Sequence, residues 1–230
     1  DLASFQYFGE VDNIRIWNKE LSADEVRYNM HHLLQGDEYG LVAYYEYEDN
    51  LEDNTSYENH GTGSNLSESN YNNSNAVIAN QTLALMTDIH GVWLGLSSGN
   101  PLINQITDNG LTTSTNIYAD EHLLFGHNNQ SGLSSENLPT NSPSNFMRQN
   151  RAWYVQSQGV STANLNFSLS NGSASEEILN ENQDASFYTL LYRENETLDY
   201  TAIKAGNLKI GDVISFQEVV INNGYYTIAL

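Results

Sequence analysis

From residue 76 to the C terminus the chain is a succession of short β-forming runs, and no helical period of useful length interrupts them. The runs fall at 76–86, 91–96, 122–126, 151–158, 163–169, 187–193, 200–203, 213–221 and 225–230. Gly, Asn, Ser and Asp fill the gaps, where glycine supplies positive φ and the polar side chains hydrogen-bond their own backbone. Residues 130–150 read as a long loop. Many short strands without intervening helices must bury their apolar faces against one another. The expected fold is therefore all-β: an antiparallel β-sandwich, jelly-roll or immunoglobulin-like. The 230 residues include 31 Asn and 15 Tyr but only 3 Pro, which suits exposed strands joined by polar turns.

The first 60 residues differ. Residues 8–17 read as a strand and 18–21 as a turn. Ser22-Ala23-Asp24-Glu25 then forms a capping box, with a hydroxyl for the free N–H groups and a carboxylate reaching back. The spacing of Val26, Met30 and Leu33 or Leu34 predicts one helix over 23–34, stopped by Gly36. Residues 40–48 alternate as a strand, which should pair with 8–17 and carry the helix. The Asn- and Ser-rich segment 61–75 reads as a linker. The division expected is thus 1–60, a linker over 61–75, and a β-sandwich over 76–230.

Lys plus Arg total 8 against 29 Asp plus Glu, a formal net charge of −21. Such a chain is repelled by nucleic acids and anionic lipid at long range, so no nucleic-acid partner is expected. The absence of cysteine removes disulfides, zinc–thiolate sites and thiol catalysis. No apolar run approaches a membrane span, so no direct membrane insertion is expected. The start at Asp1 without Met reads as a processed or excised piece.

At Phe8 to Met30 the string FGEVDNIRIWNKELSADEVRYNM resembles the closing strand and helix of the concanavalin A-like, laminin-G-like family. Gly40-Leu41-Val42-Ala43-Tyr44-Tyr45, followed by Asp53, Asn59, His60 and Gly61, is similar to that family's strand and following turn. The resemblance covers about the first 60 residues and implies the tail end of such a module. His122 to Asn128, Arg151 to Val155 and Gly224 to Leu230 resemble β-sandwich repeats of long surface proteins of marine Bacteroidetes, including gliding-motility and adhesion proteins exported by the type IX system.

Asp49, Asp53, Asn54 and Glu58 form an oxygen-rich turn. Calcium takes about six to eight oxygens, and this loop offers carboxylates and carbonyls. Laminin-G-like and pentraxin-like relatives often bind calcium, and the resemblance places Asp53 best, so calcium is the candidate cofactor. A solvated acidic loop is the competing reading. Glu10 and Asp12 alternate on one strand face as in glycoside hydrolases of this fold, which need two carboxyl groups about 5–5.5 Å apart. Ile14 and Arg15 stand where a further acid belongs, so no enzyme is expected. The six His show no ligand spacing. Trp17, Trp93 and Trp153, with Tyr44, Tyr45, Tyr154, Tyr225 and Tyr226, are candidates for stacking on sugars. Neighbouring aromatics point to opposite strand faces, so one of each pair is expected in the core and the other outside, with Trp153 a core anchor.

The expectation for function is a non-catalytic module of a large secreted surface adhesin, serving adhesion or spacing. Its partners would be a surface polysaccharide or other adhesion ligand, and neighbouring modules of the same long chain. The alternative is a carbohydrate-binding module of a polysaccharide-active protein.

Overall fold

A computed structural model of the protein describes residues 9, 11–67, 71, 77–94, 101–102, 110–115, 121–169 and 183–230. The chain divides into two compact units, Asp1–Ala76 and Val77–Leu230.

In the first unit, β1 (Ile14–Trp17) pairs antiparallel with β2 (Leu41–Tyr45), Arg15 lying opposite Tyr44. Between them runs α1 (Ala23–Asn29). Its capping box forms as the sequence predicts: Glu25 N–H donates to Ser22 Oγ at 3.1 Å, and Ser22 N–H donates to Glu25 Oε2 at 2.7 Å. The helix is shorter than the 23–34 expected. Arg15 ends it, because its guanidinium donates to the carbonyls of Asn29 at 2.6 Å and His32 at 2.7 Å, while its face lies over the Tyr44 ring. The Asn29 carbonyl, in the last turn of the helix, also accepts the His32 N–H at 3.1 Å, and the His32 carbonyl lies just beyond the helix end. Gly36 is not the helix stop. It sits at φ +85°, and a Cβ there would land on the Asn54 carbonyl oxygen. The expected apolar helix face is only partly covered. Leu34 joins Leu41 and Tyr44 in a small core, whereas Val26 and Met30 are 51% and 43% exposed.

The second unit is a sandwich of two antiparallel sheets. Its elements are α2 (Gln81–Ala84), β3 (Thr87–Leu94), β4 (Pro101–Leu102), β5 (Leu111–Ser114), β6 (His122–His127), β7 (Leu133–Ser134), β8 (Arg148–Gln149), β9 (Trp153–Gln158), β10 (Thr162–Ser168), a 3-10 turn at Ala185–Phe187, β11 (Thr189–Arg193), β12 (Thr201–Ala205), β13 (Leu208–Ile210), β14 (Val213–Val220) and β15 (Gly224–Ala229). The small sheet has the order β13-β14-β10-β5. The large one runs β12-β11-β15-β9-β6-β3-β4, with β8 on β15 and β7 on β8.

Between the sheets lies the main core. Leu123, Phe125, Trp153, Val155, Tyr226 and Ile228 from the large sheet meet Leu165, Phe167, Ile214 and Phe216 from the small one. Trp153 meets Phe167 edge to face, with ring centroids 5.1 Å apart, and is the core anchor the sequence implies. The opposite face of the large sheet is covered too. Leu124, Tyr154, Leu191, Tyr200 and Tyr225 pack there with Ala79, Leu83, Met86 and Ile89. That second core corrects two expectations. Of the run expected over 76–86, the described residues 77–86 are not a strand: Asn80 caps α2, accepting from Leu83 N–H at 2.9 Å, and Ala79, Leu83 and Met86 pack onto the sheet. The neighbouring aromatics of this unit are not split between core and solvent either, unlike Tyr44 and Tyr45 of the first unit, of which Tyr44 is core and Tyr45 half-buried. Tyr154 and Tyr225 are buried like Trp153 and Tyr226, because both faces of their strands are covered. The 130–150 loop carries β7 and β8, which stitch it to the large sheet. Among the described residues no helix is long and apolar enough to cross a membrane.

Candidate functional site

The oxygen-rich turn of the first unit is built around Asp53. Its Oδ1 accepts the N–H of Tyr44 at 2.9 Å and of Thr55 at 3.0 Å. Its Oδ2 accepts the Thr55 hydroxyl at 3.0 Å and the Asn59 N–H at 2.9 Å. The Asp53 N–H donates to His60 Nδ1 at 3.1 Å, and the Asn54 N–H to the Tyr44 carbonyl at 2.8 Å. Burial alone would push the carboxyl up. The donors of Tyr44, Thr55 and Asn59 outweigh it and hold the group at about 2. A carboxylate has about four lone-pair sites, and four donors occupy them here. The arrangement thus ties β2 to the turn after it.

The other three residues named with Asp53 in the sequence do not converge with it. Asp49, Asn54 and Glu58 are exposed, and Asp49 and Glu58 sit at φ 59° and 51° in turns. Among the described residues no three His, Asp or Glu side chains gather where they could hold a metal ion. Asp12 is half-buried beside β1, and Glu10 lies outside the described residues. His31 and His32 are buried just beyond the end of α1, and the His90 side chain lies outside the described set. His127 is buried, its Nδ1 accepting the Asn129 N–H at 2.9 Å, and its ring meets Trp153 edge to face. His122 is buried, which pushes its pKa down.

Of the aromatic candidates, Tyr44, Trp153, Tyr154, Tyr225 and Tyr226 are buried, and the Trp93 side chain lies outside the described set. Trp17 is half-buried, with the Lys19 ammonium 5.9 Å from its ring. Tyr45 stacks on Tyr47 at 6.0 Å and donates to the Asn59 carbonyl. Tyr39, which the sequence did not single out, is 88% exposed.

One cluster was missed altogether. On the outer core of the large sheet, Arg148 and Arg193 both lie against the Tyr200 ring, at 5.2 and 4.6 Å. Arg193 also faces Tyr225 at 5.1 Å. Arg148 donates to the carbonyls of Glu136 and Gln149, each at 2.9 Å, and Arg193 to those of Glu196 at 3.1 Å and Leu198 at 3.5 Å. The Tyr225 hydroxyl donates to Glu196 Oε1 at 3.1 Å. Burial and then the Glu196 charge push the Tyr225 hydroxyl well above its ordinary range. Burial also raises Tyr200, against the pull of the two guanidiniums. Chemically these groups act as clips: each arginine pins loop carbonyls while its flat face rests on an aromatic ring. The available signal was that the chain has five arginines, and three of them, Arg15, Arg151 and Arg193, stand in strand runs, while Arg148 falls in the stretch read as a loop.

No curated protein and no solved structure matches the chain. Residues 89–224 match the family described as Domain of unknown function (DUF8202), and with more than half of its length inside that match the chain belongs to this family.

Proposed function

We propose that the chain is a non-catalytic module of a large secreted cell-surface adhesin, serving adhesion or holding an adhesive part away from the cell. The observation that carries this reading is where the chemically versatile side chains are spent. Asp53 locks a turn, Arg15 ends a helix, Arg148 and Arg193 clip loops, and Trp153, Tyr154, Tyr225 and Tyr226 are core. The resemblances of residues 1–60 to laminin-G-like modules and of the sandwich to gliding and adhesion repeats point the same way. So does the net charge of −21, which keeps neighbouring modules of a long chain apart. A sandwich with its own two-sided core suits serial repetition, since each copy buries its apolar residues without help.

Surface protease shaving of the source cells, followed by mass spectrometry, tests the proposal. The expected result is peptides of this chain within a much longer, protease-accessible surface protein. A free 25.7 kDa secreted species, or a protein confined to the cytosol, would end it. The second reading is a carbohydrate-binding module. What favours it is the chemistry of one exposed sheet face.

A further inference from the structure

The outer face of the small sheet is fixed by its register. Ile214 and Phe216 point into the core, so Val213, Ser215 and Gln217 point out. Ser215 lies opposite Asn166 on one side and Leu208 on the other, and Asn166 lies opposite Thr112. One row across the sheet is therefore Thr112, Asn166, Ser215, Leu208. The next is Ser168, Val213, Ile210. On the other side of the first row, Asn164 stands beside the bulge at Gln217 and accepts the Glu218 N–H at 2.9 Å. Leu208 is 45% exposed and Ile210 69%.

These rows contain amides, hydroxyls and aliphatic groups but no charged side chain. That is unusual on a chain with 29 acidic residues. Among the described residues, charged groups border the rows at Glu218 in the bulge, with Lys204 Nζ 3.5 Å from its carbonyl, at Asp212, which accepts from Ser168 Oγ at 2.8 Å, and at Lys209 between Leu208 and Ile210 on β13. Charge then selects the occupant. A polyanion finds no cation in the rows, and a polycation finds no anion. A second copy would bring another −21 against the first. A neutral chain of sugars fits: its hydroxyls match the amides and hydroxyls, and its C–H faces match Leu208, Val213 and Ile210. The rows repeat about every 6.8 Å along the strands, and the strands lie about 4.8 Å apart, so successive residues of an extended polymer meet repeated polar groups.

We infer that the outer face of the small sheet, centred on Asn166, Ser215 and Ile210, binds an uncharged polysaccharide. The inference rests on the adhesive reading above and names its ligand class.

The whole chain is run by affinity electrophoresis through gels holding a neutral galactomannan or a neutral β-glucan, with alginate and a sulfated galactan as anionic comparators. Two variants are run beside it. Asn166→Asp places one charge in the central row with no change of shape, and Ile210→Asp removes an apolar seat from an exposed edge. The expected result is retardation by a neutral polysaccharide, weakened at least about tenfold in both variants, with melting temperatures like that of the parent. Retardation by the anionic polymers alone, equal retardation of parent and variants, or none by either neutral polymer would overturn the inference. A dimer in sedimentation that Ile210→Asp dissolves would assign the face to a second copy and overturn it equally. The outcome is separable from surface shaving: a surface-located chain that no glycan retards is a spacer, and a free secreted chain that is retarded is a sugar-binding protein.

Discussion

Asp53 fastens three stretches of backbone with one side chain, because Tyr44, Thr55 and Asn59 all donate to it. An amide in its place keeps one acceptor oxygen for Tyr44 and Thr55 but turns its NH2 toward the Thr55 hydroxyl and against the Asn59 N–H. Asp53→Asn should therefore cost the first unit on the order of 2–3 kcal/mol, read as faster hydrogen exchange at Thr55 and Asn59. Unchanged exchange would mean that the turn holds itself. The pH dependence follows from the direction of the shift. The folded carboxyl sits at about 2, below its value in an unfolded chain of about 3.9. Its stabilisation is in full force above about pH 4 and is lost as pH falls toward 2. Acid titration followed by exchange at the same two amides should show it, and Asp53→Asn should abolish that step. The residue was legible in the sequence as an oxygen donor, but its role was not. Spacing cannot tell whether a carboxylate points outward to a cation or back to its own N–H groups.

The elements were legible in proportion to how local their causes are. The α1 capping box is written in four consecutive residues and formed as expected. The end of α1 depends on Arg15, 14 residues before Asn29, and no local signal carries that. Arg15→Ala should fray the helix end and free the Tyr44 face, at a cost of about 2 kcal/mol to the first unit. Protease cleavage near His31 and His32 should rise, and Arg15→Lys should rescue it poorly, because an ammonium has neither the two separate nitrogens that reach the two carbonyls nor the flat face that lies over Tyr44. Equal resistance of Arg15→Ala and parent would show that the capping box alone holds α1. In the sandwich, β6, β9, β10, β11, β14 and β15 each carry an apolar run long enough to see, and they fall where the sequence places them. β8 and β13 are two and three residues long and take their strand character from β15 and β14. Tyr154 and Tyr225 were misplaced for a related reason. Alternation shows that two faces exist, whereas Leu83 and Met86, far away in sequence, decide that the second is covered.

At the scale of the molecule the dominant fact is charge, 29 acidic side chains against 8 basic ones. Lys19 pairs with Glu25 at the surface at 2.7 Å, and Arg148 and Arg193 spend their hydrogen bonds on backbone carbonyls. Self-repulsion should therefore be a continuous load on the folded state, and salt should lighten it. Raising NaCl from about 0.01 M to about 1 M shortens the Debye length from about 30 Å to about 3 Å, and the melting temperature should climb by several degrees. The same titration tests the calcium expectation for Asp49, Asp53, Asn54 and Glu58. Asp53 already has its lone pairs filled, and the other three are exposed. If screening is the whole effect, CaCl2 and MgCl2 at equal ionic strength give the same rise, and EDTA in buffered salt gives none. A specific site behaves differently: its stabilisation saturates at millimolar calcium, exceeds that of magnesium, and vanishes with EDTA, because binding to the folded state alone adds RT ln(1 + [L]/Kd). The expected outcome is the first. The second would mean that calcium displaces the donors on Asp53, and exchange at Thr55 and Asn59 in the presence of calcium would then report it directly.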